Sequence, residues 1–260
     1  MPTNATGNFC TAGSYRLHYQ FAGARPFDPG RPTVVFLHDG LGATGSWRGV
    51  PERIAGALGA NGLVYDRQGY GLSQQRTEFG DRFMEGEVPE LLALLDHLGI
   101  TRAHLVGHSD GGSIALLTAA WHPERVGAVV TEAAHTFVEP LTQQGIRDLV
   151  TLQEAGRTPP WLAKLHGAHG DHVLRIWAAH WLSDVHARWD IRAELGKIAC
   201  PLLVIQGVRD EFGTEAQVAS ITGAVAGAQG WMVPDSGHTP HSAAEDAFVA
   251  RVTEFLRVHL

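Results

Sequence analysis

Short runs of apolar residues recur along the chain between segments that have helical periodicity. Five runs are almost continuously apolar: 33–38, 62–66, 103–107, 127–131 and 201–207. Continuous runs of this length indicate strands that are buried on both faces, as in a parallel sheet. The run 15–23 alternates instead, which predicts an exposed antiparallel edge strand, and residues 230–234 are a shorter candidate for the last strand.

Amphipathic segments separate these runs. Residues 86–100 carry a broad stripe of leucines that ends near Gly99, a residue type that commonly terminates helices. Residues 113–126 are mostly small and apolar, and residues 241–260 have apolar side chains at helical spacing. Strands that alternate with helices predict βαβ units, and therefore an α/β fold in which helices flank a parallel sheet.

The stretch from His135 to Asp190 interrupts this alternation, because it contains no strand-like run. Four of the seven tryptophans lie in it: Trp161, Trp177, Trp181 and Trp189. We predict a helical cap, or lid, over residues 135–190, inserted into a core that is formed by residues 1–134 and 191–260. Because an aromatic cover suits the burial of apolar ligand surface, Trp161, Trp177 and Trp181 are candidate pocket residues.

Composition narrows the classes of function. The chain has 260 residues, a formal charge of -7 and a pI near 6.1, so a nucleic-acid groove with clustered Lys and Arg is not expected. Neither a membrane-spanning run nor a signal peptide is evident, which predicts a cytoplasmic protein without membrane contact. We expect a monomer or a homodimer. Cys10 and Cys200 lie far apart, and Cys200 is expected to be a buried free thiol.

The candidate nucleophile is Ser109, within the sequence Gly107-His108-Ser109-Asp110-Gly111. This is the motif G-x-S-x-G between a predicted strand and a predicted helix, which is the context that the motif requires. The two glycines allow a sharp turn that exposes the serine hydroxyl above the sheet. The alternative is an ordinary glycine-rich turn between a strand and a helix.

A serine hydroxyl needs a base that takes its proton. His238 follows the last strand candidate and precedes the last helix, so we predict that it is this base. His241 is the competitor, three residues further along, and is expected to be structural. His108 is adjacent to Ser109 and is expected to pack or hydrogen-bond locally, since neighbours on a sharp turn rarely face one another.

The base in turn needs a carboxylate that orients its ring. Asp210 follows the run 201–207 and is the first candidate, with the capping of a nearby helix as its alternative role. Other candidate carboxylates are Glu211, Asp235 and Glu132. The chain order Ser109, Asp210, His238 is one of the three orders in which serine hydrolases place these groups.

The remaining part is an oxyanion hole, a pair of N–H donors that stabilises the tetrahedral intermediate. One donor is expected to be the N–H of Asp110, the residue after the nucleophile. The other is expected to be the N–H of Gly40, in the glycine-rich loop after the run 33–38. His38, Asp39 and His108 are further candidates for the substrate pocket.

Taken together, these residues resemble the α/β-hydrolase superfamily from about Tyr15 to the C-terminus. The motifs that carry the resemblance are LHDGLG, VYDRQGYGLS, GHSDGGSIAL, HPERVGAVV, PLLVIQGVRDEFG and PDSGHTPH. The resemblance implies an eight-stranded, mostly parallel sheet, a cap after the sixth strand and no cofactor. The combination of HDGLG with GHSDGG is similar to an esterase-like branch of bacterial hydrolases, whose substrates the motifs do not imply.

Two acidic residues depart from the pattern of the family. Asp39 stands where glycine is more frequent, and Asp110 stands where an apolar residue is more frequent. Because acidic side chains would oppose an anion, we expect both to point away from the oxyanion hole. Dehalogenases and epoxide hydrolases of the superfamily use an aspartate as nucleophile, and Ser109 argues against both.

The predicted cap also contains the sequence HGAHGDH, with His166, His169, Asp171 and His172. Helical zinc motifs usually carry their histidines four residues apart, with a further ligand elsewhere. We therefore expect no metal site in the cap.

The expected reaction is acyl transfer by a serine hydrolase, which cleaves a carboxylic ester of a small, partly apolar acyl substrate through an acyl-enzyme. Carbon–carbon bond hydrolysis, enol-lactone opening, thioester hydrolysis or a lyase reaction would use the same three residues. A non-catalytic ligand-binding receptor with this fold is the alternative of another class.

Overall fold

The computed structural model describes residues 8–23 and 26–260. Within these residues one sheet contains eight strands: β1 (Asn8–Ala12), β2 (Tyr15–Ala22), β3 (Thr33–Leu37), β4 (Asn61–Asp66), β5 (Ala103–His108), β6 (Val126–Glu132), β7 (Leu202–Gly207) and β8 (Gln229–Val233). Their order in the sheet is β1-β2-β4-β3-β5-β6-β7-β8. β2 is antiparallel to both of its neighbours, and β3 to β8 are parallel. The sheet is thus mostly parallel, as expected.

The first strands correct one prediction. β2 is antiparallel as expected, but it is not the edge of the sheet, because β1 pairs with its residues 15–19. The turn between them includes Gly13, whose φ of 61° suits glycine. Sequence reasoning missed β1 because its five residues mix polar and apolar types. The N-terminal residues 1–7, which bear on the expected absence of a signal peptide, lie outside the described residues.

Helices flank the sheet on both faces. In the described part of the chain these are α1 (Val50–Leu58), α2 (Phe83–His97), α3 (Asp110–Trp121), α4 (Pro140–Glu154), α5 (Pro160–His166), α6 (Gly170–Trp181), α7 (Arg192–Leu195), α8 (Glu215–Ala224), α9 (Pro240–Ala243) and α10 (Glu245–Arg257). The C-terminal segment, expected as one helix, is divided at Ala244. No described helix is long and apolar enough to cross a membrane.

Two apolar cores form, one on each face of the sheet. Val34 and Phe36 of β3 contribute to the core that includes α1 and α10, and Val35 and Leu37 contribute to the opposite core with α2 and α3. This division follows from the alternation of side chains along a strand. Because both faces are covered, each central strand is buried along its whole length, which explains the continuous apolar runs in the sequence.

Four helices, α4 to α7, lie between β6 and β7. An isolated antiparallel bridge joins Phe137 to Asp190, close to the two ends of the segment that we predict to be a cap. The division into a core and a cap over residues 135–190 stays a prediction. Both cysteines are free; Cys10 is buried, whereas Cys200 is only partly buried, contrary to expectation.

Candidate active site

Ser109 lies in a strained turn between β5 and α3. Its φ of 54° falls in a region that residues other than glycine rarely adopt. The two flanking glycines are required by close backbone approach: a Cβ on Gly107 would lie 2.2 Å from the carbonyl oxygen of Gly111, and one on Gly111 would lie 2.2 Å from that of Leu37. The chain therefore turns as the G-x-S-x-G motif predicts.

The structure brings the three residues predicted to be catalytic into one hydrogen-bonded chain. The Ser109 hydroxyl lies 3.0 Å from Nε2 of His238. Nδ1 of His238 lies 2.8 Å from Oδ1 and 2.9 Å from Oδ2 of Asp210. Asp210 stands at the end of β7, and His238 follows β8, so neighbouring parallel strands bring the two side chains together at one edge of the sheet.

Asp210 is held in its charged form. Its Oδ1 accepts hydrogen bonds from the N–H of Phe212 at 2.8 Å and of Gly213 at 3.3 Å, and its Oδ2 accepts one from Nε2 of Gln206 at 2.6 Å. Burial acts to raise the pKa of Asp210, but His238 and the N–H donors outweigh it, so the pKa lies below its ordinary value. A stable carboxylate is what the orientation of His238 requires.

The other candidate carboxylates lie elsewhere. Glu211 accepts the backbone N–H of His238 at 3.2 Å, so it contacts the same loop but not the ring nitrogen. Asp235 is exposed and pairs with Arg209. The third candidate, Glu132, binds a different histidine.

His241 pairs with Glu132. Its Nδ1 lies 2.8 Å from Oε2 of Glu132, and its backbone N–H donates to Oε1 at 2.6 Å. His108 lies beside this pair, and its Nε2 donates to the carbonyl oxygen of His238 at 2.8 Å. Of the ring nitrogens of these histidines, Nε2 of His238 is the one that contacts the Ser109 hydroxyl.

The loop expected to supply one oxyanion donor packs closely against α6. A Cβ on Gly40 would lie 2.2 Å from Nε1 of Trp177 and 2.7 Å from Oδ2 of Asp110, so only glycine fits there. Arg67 is buried beneath this loop, and its Nη2 donates to the carbonyl oxygen of Asp39 at 2.7 Å. These contacts fix the backbone of the loop, and the role of the Gly40 and Asp110 N–H groups as donors stays a prediction.

The two unusual acidic residues differ in their surroundings. Asp110 is fully buried, and its Oδ2 accepts a hydrogen bond from Nε1 of Trp177 at 3.1 Å. Desolvation raises the pKa of Asp110 to about 6. Asp39 is partly exposed, with its Oδ1 3.7 Å from Nδ1 of His108. Burial acts to raise the pKa of Asp39, but His108 and other histidines lower it well below its ordinary value.

A family model described as the alpha/beta hydrolase fold matches residues 32–190, which is more than half of the chain. The chain belongs to the α/β-hydrolase family.

Relatives with curated names cover most of this α/β-hydrolase. Serine hydrolase BPHL of Homo sapiens is 25% identical over an alignment that covers 98% of this chain and 88% of the relative. A 2-hydroxy-6-oxononadienedioate/2-hydroxy-6-oxononatrienedioate hydrolase of Cupriavidus pinatubonensis is 29% identical, over 93% of this chain and 91% of the relative.

Solved structures share the fold of this α/β-hydrolase. The enol-lactonase from Burkholderia xenovorans LB400 superposes with a TM-score of 0.74 at 24% identity, over 96% of this chain and 99% of that one. At this identity the likeness concerns the fold alone.

A cavity of about 1030 Å³ opens above Ser109 of this α/β-hydrolase. Its lining includes five of the six predicted pocket residues: Asp39, His108, Trp161, Trp177 and Trp181. His38 does not line it, contrary to prediction, because its ring is buried beneath the loop, where Nδ1 lies 2.7 Å from the carbonyl oxygen of Asp39. Its other nitrogen accepts the N–H of Arg67 at 3.1 Å.

His166 and His172 of the HGAHGDH sequence contact different backbone groups. His166 bridges the Gly71 N–H and the Leu41 carbonyl, and Nε2 of His172 lies 2.9 Å from the carbonyl oxygen of Arg76. Among the described residues, the group with suitable spacing for a metal is instead His108, Glu132 and His241. Both oxygens of Glu132 already accept hydrogen bonds from His241, which satisfies that carboxylate without a metal.

Sequence reasoning missed three groups around the site. Gln206 lies inside an apolar strand and supports Asp210, Arg67 follows β4 and supports the loop that contains Asp39, and His135 lines the cavity. Burial lowers the pKa of His135 to about 4, so its ring is neutral. A polar residue within an otherwise apolar strand was the signal for Gln206.

Proposed function

We propose that the protein is a serine hydrolase that cleaves carboxylic esters through an acyl-enzyme on Ser109. The observation that carries this proposal is the unbroken chain of contacts from the Ser109 hydroxyl through His238 to Asp210, with Ser109 on the wall of a large cavity. A nucleophile, a base and an orienting carboxylate in this arrangement are the parts that acyl transfer needs.

In the first half-reaction, Nε2 of His238 takes the hydroxyl proton while Oγ of Ser109 bonds to the ester carbonyl carbon. The carbonyl oxygen gains the negative charge, and the N–H groups of Gly40 and Asp110 are proposed to stabilise it. Collapse of this intermediate breaks the bond to the alkoxy oxygen, which leaves as an alcohol with the proton from His238. Asp210 holds the imidazolium that forms between these steps.

In the second half-reaction, water attacks the acyl group on Ser109. His238 accepts a proton from that water and returns it to Oγ of Ser109 as the carbon–oxygen bond of the acyl-enzyme breaks. The products are a carboxylic acid and the free enzyme, so no cofactor is consumed. The name of the human relative, a serine hydrolase, supports this mechanism.

The walls of the cavity favour an apolar acyl group. Along one face of α4, Leu141, Leu149 and Leu152 line the cavity, and Trp161 and Leu165 of α5 line it as well. Burial of such a surface against an acyl chain contributes about 0.8 kcal/mol for each methylene. We therefore propose a medium-chain or aryl ester as the substrate.

A second candidate is the hydrolysis of a carbon–carbon bond or an enol-lactone with the same three residues. A relative named as a 2-hydroxy-6-oxononadienedioate/2-hydroxy-6-oxononatrienedioate hydrolase favours this candidate. Arg48 and Lys164, which also line the cavity, are cationic groups that suit a substrate carboxylate. The apolar face of α4 favours the monofunctional ester instead.

Labelling with a fluorophosphonate tests the proposed nucleophile. We expect one adduct, located by peptide mass spectrometry on Ser109, and no adduct on Ser109→Ala. A folded wild-type protein that stays unlabelled would support the ligand-binding receptor instead. A panel of p-nitrophenyl esters, an aryl thioester, an enol-lactone and a vinylogous 1,5-diketone then separates the candidate reactions by their kcat/KM.

Trp161 tests the acyl site. Its side chain lines the cavity and is 41% exposed, so its removal should not unfold the protein. We expect Trp161→Ala to lower kcat/KM for an octanoate ester about tenfold through lost apolar contact, and to leave acetate ester hydrolysis within about twofold. Trp231→Ala, on β8, is the control, because Trp231 does not line the cavity. An equal loss with both esters would contradict the proposed acyl site.

A further inference from the structure

Glu132 connects the two segments that carry Ser109 and His238. Its backbone carbonyl oxygen accepts the N–H of Ser109 at 2.8 Å. Its side chain accepts both the backbone N–H and the ring Nδ1–H of His241, at 2.6 and 2.8 Å. One residue at the end of β6 thus holds the nucleophile turn by its backbone and the histidine segment by its carboxylate.

His108 makes a second connection between the same segments. It precedes Ser109 in the turn, and its Nε2 donates to the carbonyl oxygen of His238 at 2.8 Å. The histidine segment is therefore held at its residue 238 by β5 and at its residue 241 by β6. Both connections leave the imidazole ring of His238 free to contact Ser109 and Asp210.

The geometry points to a positioning role for Glu132, His241 and His108: they form a clamp that holds the His238 segment at hydrogen-bonding distance from Ser109. The inference rests on the proposed function, because a clamp matters for turnover only if His238 is the base. A displacement of about 1 Å between reacting groups can cost a hundredfold in rate, so a modest movement of this segment would slow acyl transfer.

The charges around the clamp reinforce it. Glu132 is faced by His241 from α9 and by His108 from β5, and Asp39, from the loop after β3, lies on the other side of His108. The side chains of His241 and Glu132 are 3% and 0% exposed, so solvent does not screen their interaction. The Trp47 ring packs against the His241 ring, with the two centroids 4.9 Å apart.

The test compares Glu132→Gln and His241→Gln with the wild type. Glutamine keeps the size of the side chain but removes the charged pair. For hydrolysis of a p-nitrophenyl ester we expect kcat to fall about tenfold or more, with KM within about twofold, since the leucines of α4 and Trp161, which form the proposed acyl site, are unchanged. His18→Gln is the matched control: the His18–Asp66 pair is equally buried, with a separation of 2.7 Å, but does not contact the His238 segment.

A further readout separates positioning from a loss of stability. The proton on Nδ1 of His238, shared with Asp210, gives a far-downfield NMR signal, and we expect Glu132→Gln to shift or broaden it while His18→Gln leaves it in place. The two clamp variants should also be non-additive, since each breaks the same pair. Unchanged kcat and an unchanged NMR signal in both folded variants would overturn the clamp.

Fluorophosphonate labelling distinguishes that failure from failure of the proposed function. If wild-type Ser109 is labelled but the clamp variants turn over normally, the mechanism stands and the clamp is wrong. If wild-type Ser109 is not labelled, the proposed function itself is wrong, and the inferred positioning role of the clamp is wrong as well.

Discussion

Two histidine–carboxylate pairs, one partly and one fully buried, lie side by side at the ends of neighbouring strands. Asp210 follows β7 and pairs with His238 at 2.8 Å, whereas Glu132 ends β6 and pairs with His241 at 2.8 Å. The distances are equal. The difference lies in the second ring nitrogen, because Nε2 of His238 faces the Ser109 hydroxyl.

The two histidines both line the cavity, but their solvent exposure differs. The His238 side chain is 14% exposed, and that of His241 is 3% exposed. Proton transfer needs a ring that can reach both serine and water, which the more exposed ring provides. A short hydrogen bond between histidine and a carboxylate therefore does not by itself favour either pair as the catalytic one; contact with the Ser109 hydroxyl favours His238 and Asp210, as we propose.

Replacing the carboxylate of each pair with an amide should lower kcat by very different factors. Asp210→Asn should lower kcat for ester hydrolysis by roughly 10³- to 10⁴-fold, because the amide no longer holds the required tautomer of His238. Glu132→Gln should lower kcat by about tenfold, because it changes only the position of the His238 segment. Steady-state kinetics of the two variants at one pH measures both effects, and equal losses would contradict the assignment of separate roles.

The pair of Glu132 and His241 should make a pH-dependent contribution to the free energy of unfolding. Burial acts to raise the pKa of Glu132, but His241 and His108 lower it below 4.5, so its contribution is lost as pH falls below that value. Burial acts to lower the pKa of His241, but Glu132 raises it above 6.5, so that contribution is lost as pH rises through the raised value. The pair therefore stabilises most between these two values.

Glu132→Gln should accordingly cost about 3 kcal/mol of unfolding free energy near pH 5.5 and less near pH 9. Urea unfolding of the variant and the wild type at both pH values measures the difference. A cost that stays constant across this range would mean that the pair is not ionised as described.

A third buried carboxyl group, that of Asp110, differs from the other two because it accepts a hydrogen bond from Trp177 and not from a histidine. Desolvation raises its pKa from 3.8 to about 6, so the native state binds its proton more tightly than the unfolded state does. The contribution of the Asp110 carboxyl group to the free energy of unfolding is most favourable below pH 3.8 and is lost as pH rises through about 6.

We compare the unfolding free energy of Asp110→Asn with that of the wild type at two pH values. We expect the variant's advantage to be about 2 kcal/mol larger at pH 8 than at pH 4.5. The asparagine oxygen can still accept the bond from Trp177. Chemical denaturation at the two pH values measures this gain, and a difference that does not change with pH would show that Asp110 titrates normally.

The smallest expected effect concerns the support of Asp210. Gln206→Met removes the amide that donates to Oδ2 of Asp210 at 2.6 Å, and kcat should fall by about tenfold. Gln217→Met is the control, since Gln217 is equally buried but bonds to Thr136 and Glu139. Similar kcat losses in both variants would indicate a general destabilisation.

The central strands and the candidate nucleophile were predictable from the sequence for a physical reason. Strands covered on both faces must be apolar throughout, and a strained turn at Ser109 needs glycines at Gly107 and Gly111, so both features leave local patterns. The order of Ser109, Asp210 and His238 along the chain supplied the expected partners, and the structure brings the three together.

Features that depend on tertiary contacts left no such pattern. β1 is a strand only because it pairs with β2, and His38 turns beneath its loop because Arg67 and a backbone carbonyl meet its ring there. The pairing of Glu132 with His241 joins residues that are 109 positions apart in the chain, and spacing alone does not choose between the two histidines.

Mass spectrometry of the enzyme quenched during turnover of a p-nitrophenyl ester tests the proposed acyl-enzyme on Ser109 directly. We predict a mass increase of one acyl group, mapped to Ser109, that disappears in Ser109→Ala together with ester hydrolysis. Turnover by a Ser109→Ala variant at the wild-type rate, or an acyl group mapped to another residue, would contradict it.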